Sequence, residues 1–540
     1  MRRRDILHGL ASIPLAGALP GDNRSAATEV KQDSTAIADP LYNPKLHLFI
    51  DDHGVLRSQN VTRLPGRAKK HPVPVVRQDR PWESPWIYAW GSVFREPDGL
   101  FRMWYETMGH RGDICLNRLC YAESADGVEW RKPSLRRYTM DGYDQTNIVL
   151  MSSAIHGPGD TRGEQALQHA NVKYTGPGQS IHELVNHVDG SNVVRDDNEP
   201  DPARRYKYLA AMWHKDLKGG WAHHLVTSPD GIDWTMPPRE VLRVNDGTKL
   251  VWDSIRKLWM LTWLSSAVSA EGVNVRYLEL AESRDLITWT QVGKPFELDE
   301  ADGHGNIMQG HFLLPFAYGD QYVGIANMIH SQEGWAQGYL VSSRDGRRWD
   351  RHFRNTPFVT LGAEDDFDAD SSEAALSPPI LVGDELFIYY CGRARRHWAP
   401  VACTGAIGLL RLKRDRFAGL NNGGWFNREA NNNRSDDAEV VTRPVKVTGP
   451  RLYVNVRSRQ VHNPGIAGSE LWGTLRTELL DEQEKPIPGY TLADSVPCRD
   501  DETRAMIRWK DRDTVADLEG RKVHVRFVFN MATIYAYQFA

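Results

Sequence analysis

The fold turns on Asp189-Gly-Ser-Asn-Val-Val-Arg-Asp196, because the pattern returns as Asp246-Gly-Thr-Lys-Leu-Val-Trp-Asp253. Each copy has an acid, a small flexible step, a short β-prone run and a second Asp. A basic, aromatic strand follows each (Arg205-Tyr-Lys-Tyr208, then Lys257-Leu-Trp259). Looser copies open at Asp302 (Asp-Gly-His-Gly-Asn-Ile) and at Asp370 (Asp-Ser-Ser-Glu). The four opening acids stand 57, 56 and 68 residues apart, the period of four-stranded propeller blades. If each copy opens the innermost strand of a blade, acids distant in the chain converge on one central pocket.

A second repeat supports the blades. Ser124-Ala-Asp126-Gly127-Val-Glu-Trp130 recurs from Ser228 to Trp234 and from Ser343 to Trp349, and from Ser283 to Trp289 with Leu286 in the place of Gly. Asp-Gly supplies a positive-φ hairpin turn, Ser can bond the turn backbone, and Trp caps the blade. This motif is structural and carries no chemistry. The first blade starts with Ile87 to Arg95 and turns at Glu96-Pro-Asp-Gly99. It continues as Phe101-Arg-Met-Trp-Tyr105, which alternates as a half-buried strand does. A fifth blade runs from about Asp370 to Leu412 without the Ser-Asp-Gly-Trp turn. The strand Leu46 to Ile50 is expected to pair into it and close the ring, since an open edge is costly. Residues 139–186 form a long insertion rich in Gly, Gln and His, of the kind that decorates a pocket face.

The expected fold is therefore all-β, a five-bladed β-propeller over residues 39–420 and a β-sandwich over 421–540. A chain of 540 residues is too long for one ordinary core. Residues 1–38 read as a signal peptide and linker. Met1-Arg-Arg-Arg-Asp-Ile-Leu7, an apolar run to Leu19 and small residues around Ala16-Gly-Ala18 resemble a twin-arginine export signal. A disordered basic tail is the other reading. Interrupted by His8, Gly9 and Pro14, the run is too weak to span a membrane. The expected location is the periplasm or outside the cell.

With 66 basic against 70 acidic side chains, nucleic-acid binding is set aside. The 18 Trp and 19 Tyr suit strands and sugar faces. Five cysteines without zinc spacing argue against a metal knuckle. Export would allow one disulfide, Cys115 with Cys120 or Cys391 with Cys403; buried free thiols are the alternative.

With these motifs the chain resembles the five-bladed propeller glycosidases, the fructosidases and arabinan- or xylan-acting enzymes of glycoside hydrolase families 32 and 43. It is most similar to the family-32-like group with a trailing β-sandwich. The likeness is carried by the Ser-x-Asp-Gly-x-x-Trp turns, Arg80-Pro-Trp-Glu83, Gly91-Ser-Val-Phe94, Arg195-Asp196, Pro315-Phe-Ala-Tyr-Gly-Asp320 and Ser377-Pro-Pro-Ile-Leu-Val-Gly-Asp384. It implies a glycoside hydrolase acting on a poly- or oligosaccharide. In those families acids on successive inner strands serve as base or nucleophile, as transition-state stabiliser and as proton donor. Two departures stand out. No Trp-x-Asn-Asp-Pro-x-Gly motif opens the first blade, whose inner strand carries Tyr88 and Trp90, and no Glu-Cys acid motif is present. Fructosidase activity in particular does not follow.

Glycoside hydrolysis needs one protonated carboxyl for the leaving oxygen and one ionised carboxylate to activate water or attack carbon. The inner-strand candidates are Asp189, Asp246, Asp302 and Asp370, with Glu83 and Glu373 as proton donors because Glu reaches further. Asp370 and Glu373 are an odd number of residues apart, so a regular strand turns only one into the pocket. For each Asp, merely capping a turn is the competing reading. Asp196, Asp253, Asp320 and Asp384 sit at inner-hairpin turns and read as structural. Trp86, Tyr88 and Trp90 offer a stacking platform for a sugar ring, with core packing as the alternative. His187, His304 and His311 could bind hydroxyls or tune an acid. Arg395, Arg396 and His397 could meet an anionic sugar substituent, or form a solvated loop. Carbohydrate is the expected partner, no cofactor is required, and a structural calcium is compatible. Two other classes fit: a sugar-binding propeller without catalysis, and a glycoside phosphorylase, which needs a phosphate clamp of Arg and His.

Overall fold

The computed structural model describes residues 39–83, 86–110, 113–153, 165, 168, 170–177, 191–212, 221–235, 239–245, 247–269, 272–374, 377–396, 405–422, 437–458, 460–461 and 471–540. The expected signal segment, 1–38, lies outside them. Strand makes up 52 % of the described residues and helix 4 %, an all-β fold.

Three antiparallel four-stranded sheets follow one another. The first holds Trp86–Arg95, Phe101–His110, Asp113–Ser124 and Ile148–Ser153. The second holds Val194–Arg195, Tyr206–Met212, Trp221–Ser228 and Glu240–Val244. The third holds Lys249–Asp253, Leu258–Val268, Asn274–Ser283 and Trp289–Gly293. An eight-stranded sheet comes next and contains two meanders. Met308–Tyr318, Gln321–His330 and Ala336–Ser343 make one; Ser371–Ala374, Glu385–Arg393, Gly405–Lys413 and Lys69–Lys70 carry the other. A short parallel pairing of Ala336 with Ser371 joins them.

Packing closes these sheets into a ring. Trp104 and Tyr121 of the first sheet meet Tyr206, Tyr208 and Trp234 of the second. Leu209 and Leu225 meet Leu250, Trp259 and Leu261 of the third. Met260 and Leu280 pack with Leu313, Ile325 and Leu340 of the eight-stranded sheet. The far end of that sheet, at Phe387, Tyr389 and Ile407, returns to Val93, Phe101 and Met103 of the first. Hydrogen bonds tie the ring sheets together on the same circuit. Ser92 donates to the Val193 carbonyl. Asn192 exchanges bonds of 2.7 and 2.9 Å with the backbone of Leu250. Thr262 donates to the Leu313 carbonyl at 2.6 Å, and Ser377 donates to the Val93 carbonyl at 2.8 Å. Since neighbours cover both faces of each sheet, Phe101, Met103, Trp104 and Tyr105 are all at most 1 % exposed. The half-buried alternation expected there does not occur.

The four Ser-x-Asp turns share one geometry. The Gly127 N–H bonds Ser124 Oγ at 2.8 Å, and the Val128 and Glu129 N–H groups bond Asp126 Oδ1 at 2.8 and 2.9 Å. The turns at Asp230, Asp285 and Asp345 repeat these bonds. The next residue has φ of 77°, 76°, 60° and 72° at Gly127, Gly231, Leu286 and Gly346. Leu286 takes the left-handed conformation while its side chain fills the core between the second and third sheets. Each turn also docks on the sheet before it. Tyr389 donates to the Gly127 carbonyl and Trp104 Nε1 to the Gly231 carbonyl, both at 2.7 Å. Arg347, after Gly346, pairs with Glu282 at 2.8 Å.

The strand near Leu46 corrects an expectation. Leu46–Leu48 pairs with Ala532–Phe539 of the C-terminal sandwich, not with the last ring sheet. Thr62–Pro65 and Val55–Gln59 join the two sandwich sheets through Ala418–Asn421 and Ala438–Thr442. The edge of the ring is taken by Lys69–Lys70 against Leu410 and Arg411. The physical reason is burial. Leu46, Leu48 and Ile50 face the ring core and Phe49 the sandwich core, whereas lysines suit an outer edge in water.

Two outcomes follow from the turns. A Cβ at Gly231 would overlap the Trp104 ring at a φ of 76°, so Gly231→Ala should cost about 2–4 kcal/mol by denaturant unfolding. Gly99→Ala, with nothing within 4 Å, should cost only about 1 kcal/mol. Turn N–H groups hold Asp285 below the ordinary 3.8. At Asp126 and Asp345 burial pushes upward, and the backbone bonds more than offset it. With folded values depressed, this stabilisation is complete above the unfolded value of 3.8 and disappears as pH falls below it. Asp285→Asn should therefore lower the melting temperature near neutrality, and the gap to wild type should narrow in acid.

Candidate functional site

Where the eight-stranded sheet joins its two meanders, the strand Ser371–Ala374 carries a buried carboxylate. Glu373 meets Nδ1 of His311 through Oε1. Its Oε2 accepts from Ser371 Oγ at 3.1 Å and from Arg393 at 3.3 Å. Glu373, His311 and Arg393 are 1, 5 and 6 % exposed. A carboxylate that deep requires a charged, hydrogen-bonding partner, and Arg393 supplies it from the neighbouring strand, where it lies opposite Ser371. His311 arrives by a bulge. Gly310 pairs with Met328 and Phe312 with Asn327, leaving His311 as the extra residue. The fully buried Lys249 holds its ammonium 5.3 Å from the Phe312 ring centre.

A second polar group bridges the first and second sheets. Glu106 is fully buried and accepts from Tyr208 Oη at 3.3 Å. It faces Tyr88 in register, at the point where the inner strand shifts its pairing between Tyr88 and Gly91.

Chemically, Glu373 engages one nitrogen of His311 and so orients the ring. Nε2 is the position the dyad can use to hold or move a proton. The Arg393 guanidinium adds a fixed positive charge beside it.

Glu83, expected to donate a proton, is instead an acceptor hub. It is fully buried and accepts from Tyr105 Oη at 2.6 Å, the Asp79 and Arg80 N–H groups at 3.0 and 3.1 Å, and Lys132 Nζ at 2.8 Å. With both oxygens committed, it ties the 79–83 loop to the first sheet. Asp302 is likewise structural. It bonds Arg351 with both oxygens and the Asp299 N–H at 3.1 Å. The Asp-Gly-His-Gly segment curls, with φ of 57° and 51° at Gly303 and His304, so it forms a turn and the inner strand starts only at Met308.

Asp370 lies at the flank, its side chain 33 % exposed and 3.9 Å from Arg396. Of the pair three residues apart, Glu373 turns inward. His304 and Arg395 are exposed. Asp253 is buried and caps its turn through the Ile255 and Arg256 N–H groups, and Asp196 bonds the Asn198 N–H. Asp189, Asp246, His187 and His397 lie outside the described residues, as do the side chains of Trp86, Tyr88 and Trp90. The sequence pattern assigns no role to Arg393 or Glu106, and places Ser371 only within the Asp370 copy of the repeat. An Arg ending the apolar strand Glu385–Arg393 was a usable signal, because a buried cation demands an anion.

Cys120, Cys391 and Cys498 are free, buried thiols, and burial pushes Cys120 and Cys498 up to about 12; the side chain of Cys115 lies outside the described residues. Cys403 lies outside the described residues. Among the described residues, no group of three or more His, Cys, Asp or Glu is placed to hold a metal ion. No helix among them is long and apolar enough to cross a membrane, which says nothing of strands.

No family model matches the chain, and no curated protein matches it. Several solved structures are similar in strand layout. One is a fructofuranosidase from Schwanniomyces occidentalis complexed with fructosylnystose. It is 13 % identical, with a TM-score of 0.39, over 86 % of this chain and 96 % of that one. A thermostable family-43 glycoside hydrolase is 10 % identical at 0.40, over 63 % and 92 %. An N-acetylgalactosamine deacetylase from F. plautii, in complex with blood group B trisaccharide, is 14 % identical at 0.39, over 66 % and 97 %. With every TM-score below 0.5, those activities belong to those proteins, and the chemistry of this chain is read from its own side chains.

Glu83→Gln should unmask the hub. Lys132 keeps the half-exposed Asp79 at 2.8 Å, so losing its buried carboxylate partner should cost about 1–3 kcal/mol of stability. Any turnover per folded molecule should be unchanged, whereas a proton donor would lose its rate.

Proposed function

We propose that this protein is an exported glycoside hydrolase that acts on a poly- or oligosaccharide entering the centre of the ring. The observation that carries this reading is the buried cluster of Glu373, His311, Arg393 and Ser371. Among the described residues, Glu373 is the carboxylate borne within an inner strand instead of at its turn. It serves the reaction through His311, which exchanges the proton, while Arg393 steadies the charge. Asp189 or Asp246 supplies the second carboxyl, because their matched contexts open the second and third inner strands. Trp86, Tyr88 and Trp90 stack on the sugar. The motif resemblance described above supports the same class, and the Met1–Leu19 segment supports export.

A sugar-binding ring without catalysis is the second reading. It is favoured by the first inner strand, Trp86–Arg95, which carries no acid.

Screening the purified protein against polysaccharides and nitrophenyl glycosides tests both. On any substrate found, Glu373→Gln, Asp189→Asn and Asp246→Asn should be measured for kcat, melting temperature and sugar affinity. Loss of kcat by at least about 100-fold in Glu373→Gln, with binding retained, is expected. Binding without turnover across the panel by the wild type would leave only the second reading. Turnover undiminished in Glu373→Gln would remove the proposed centre.

A further inference from the structure

Between the last ring sheet and the sandwich lies a cavity of about 1120 Å³. Seven basic side chains line it against two acidic ones, Glu385 and Asp501. The chain as a whole carries a formal net charge of −4, so this excess is local. The two acids do not neutralise it. Asp501 pairs with Arg416 at 2.7 Å and Lys413 at 3.5 Å. Among the described residues, Arg67, Lys69 and Arg411 have no carboxylate partner, while Arg457 stands opposite Asp501 across a strand pair. Burial pushes the Asp501 carboxyl up, but the Arg416 hydrogen bond and the charges of Arg416, Lys413 and Arg457 hold it below 3.8.

The strand pairing makes the case sharper. Lys69 stands directly opposite Arg411 across an antiparallel pair, where like charges repel. Arg411 has a buried Nε without a hydrogen-bond acceptor, and its guanidinium lies 5.0 Å from the Phe387 ring centre. An edge strand needs only one charge to discourage pairing, so two facing cations with an unmet donor are a cost that a bound anion would relieve. Tyr535 and Phe358 border the same cavity but are only 9 and 5 % exposed, and the Arg416 guanidinium lies 4.8 Å from the Tyr535 ring centre.

We propose that this cavity binds an anionic saccharide, with uronate or sulfate groups meeting Lys69, Arg411 and Arg67. The saccharide part rests on the glycoside-hydrolase reading and names its substrate class; the anion part stands on the charges alone. Carboxylate and sulfate share the acceptor geometry that guanidinium groups recognise, and screening by salt should weaken both.

The test is calorimetric binding by the full chain to an oligogalacturonate hexasaccharide, a chondroitin sulfate hexasaccharide, neutral cellohexaose and inorganic sulfate. At least one anionic hexasaccharide should bind about tenfold or more tighter than cellohexaose, with affinity falling as salt rises. Replacing the exposed Arg67, Lys69 and Arg457 by Gln together should weaken that binding about tenfold or more. Lys69→Gln alone should leave the melting temperature equal or higher without ligand, which guards against misfolding as the explanation. Glu373→Gln should bind the anionic probe as wild type does. Anionic binding with no turnover of any glycan would keep the cavity and remove the hydrolase. Turnover of a glycan with no preference for anionic probes, or binding indifferent to the triple change, would overturn this inference. Inorganic sulfate binding as tightly as the hexasaccharides would overturn its saccharide part.

Discussion

Everything in the ring depends on one constraint: each sheet is apolar on both faces and has nowhere to bury them except against its neighbours. Trp104 shows how this is met. It is fully buried between the first and second sheets and donates to the Gly231 carbonyl of the next sheet's turn. Tyr389 does the same for Gly127 across the closure. The Ser-x-Asp turns therefore do two jobs, ending a hairpin and locking one sheet to the previous one. A ring of this kind is stable as a closed circuit, since any missing contact exposes two apolar faces together.

The same closure sets which polar groups can be buried between the sheets. Glu373, His311 and Arg393 come from three strands, and each would be costly to bury alone. Together they satisfy one another, and the bulge at His311 is the local distortion that lets an inner strand deliver a ring nitrogen to the carboxylate. Glu83 and Lys132 solve the same problem elsewhere without any opening for chemistry, because every acceptor position is filled from the protein. A buried acid is thus ambiguous until its partners are known.

The segment before the ring binds the two halves of the molecule. Its apolar residues, Leu46 to Ile50, are shared between the two cores, and its lysines form the ring's outer edge. That arrangement concentrates positive charge in the cavity between ring and sandwich.

Much of this was legible from residue order alone. The all-β class and the turns were readable because Ser, Asp and a left-handed residue act over four or five positions, within reach of local hydrogen bonding. What the chain order could not carry was partnership over long distances. Glu83 looked like a donor until Lys132 and Tyr105 appeared beside it. Asp302 looked like an inner-strand acid until Arg351 and a curled backbone claimed it. Leu46 to Ile50 looked like the ring's last strand until pairing with Ala532–Phe539 set it between the two cores. Arg393 was silent until it stood opposite Ser371. In each case the deciding energy is the pairing or burial of one residue against another far away in the chain, and only the folded arrangement determines which residue that is.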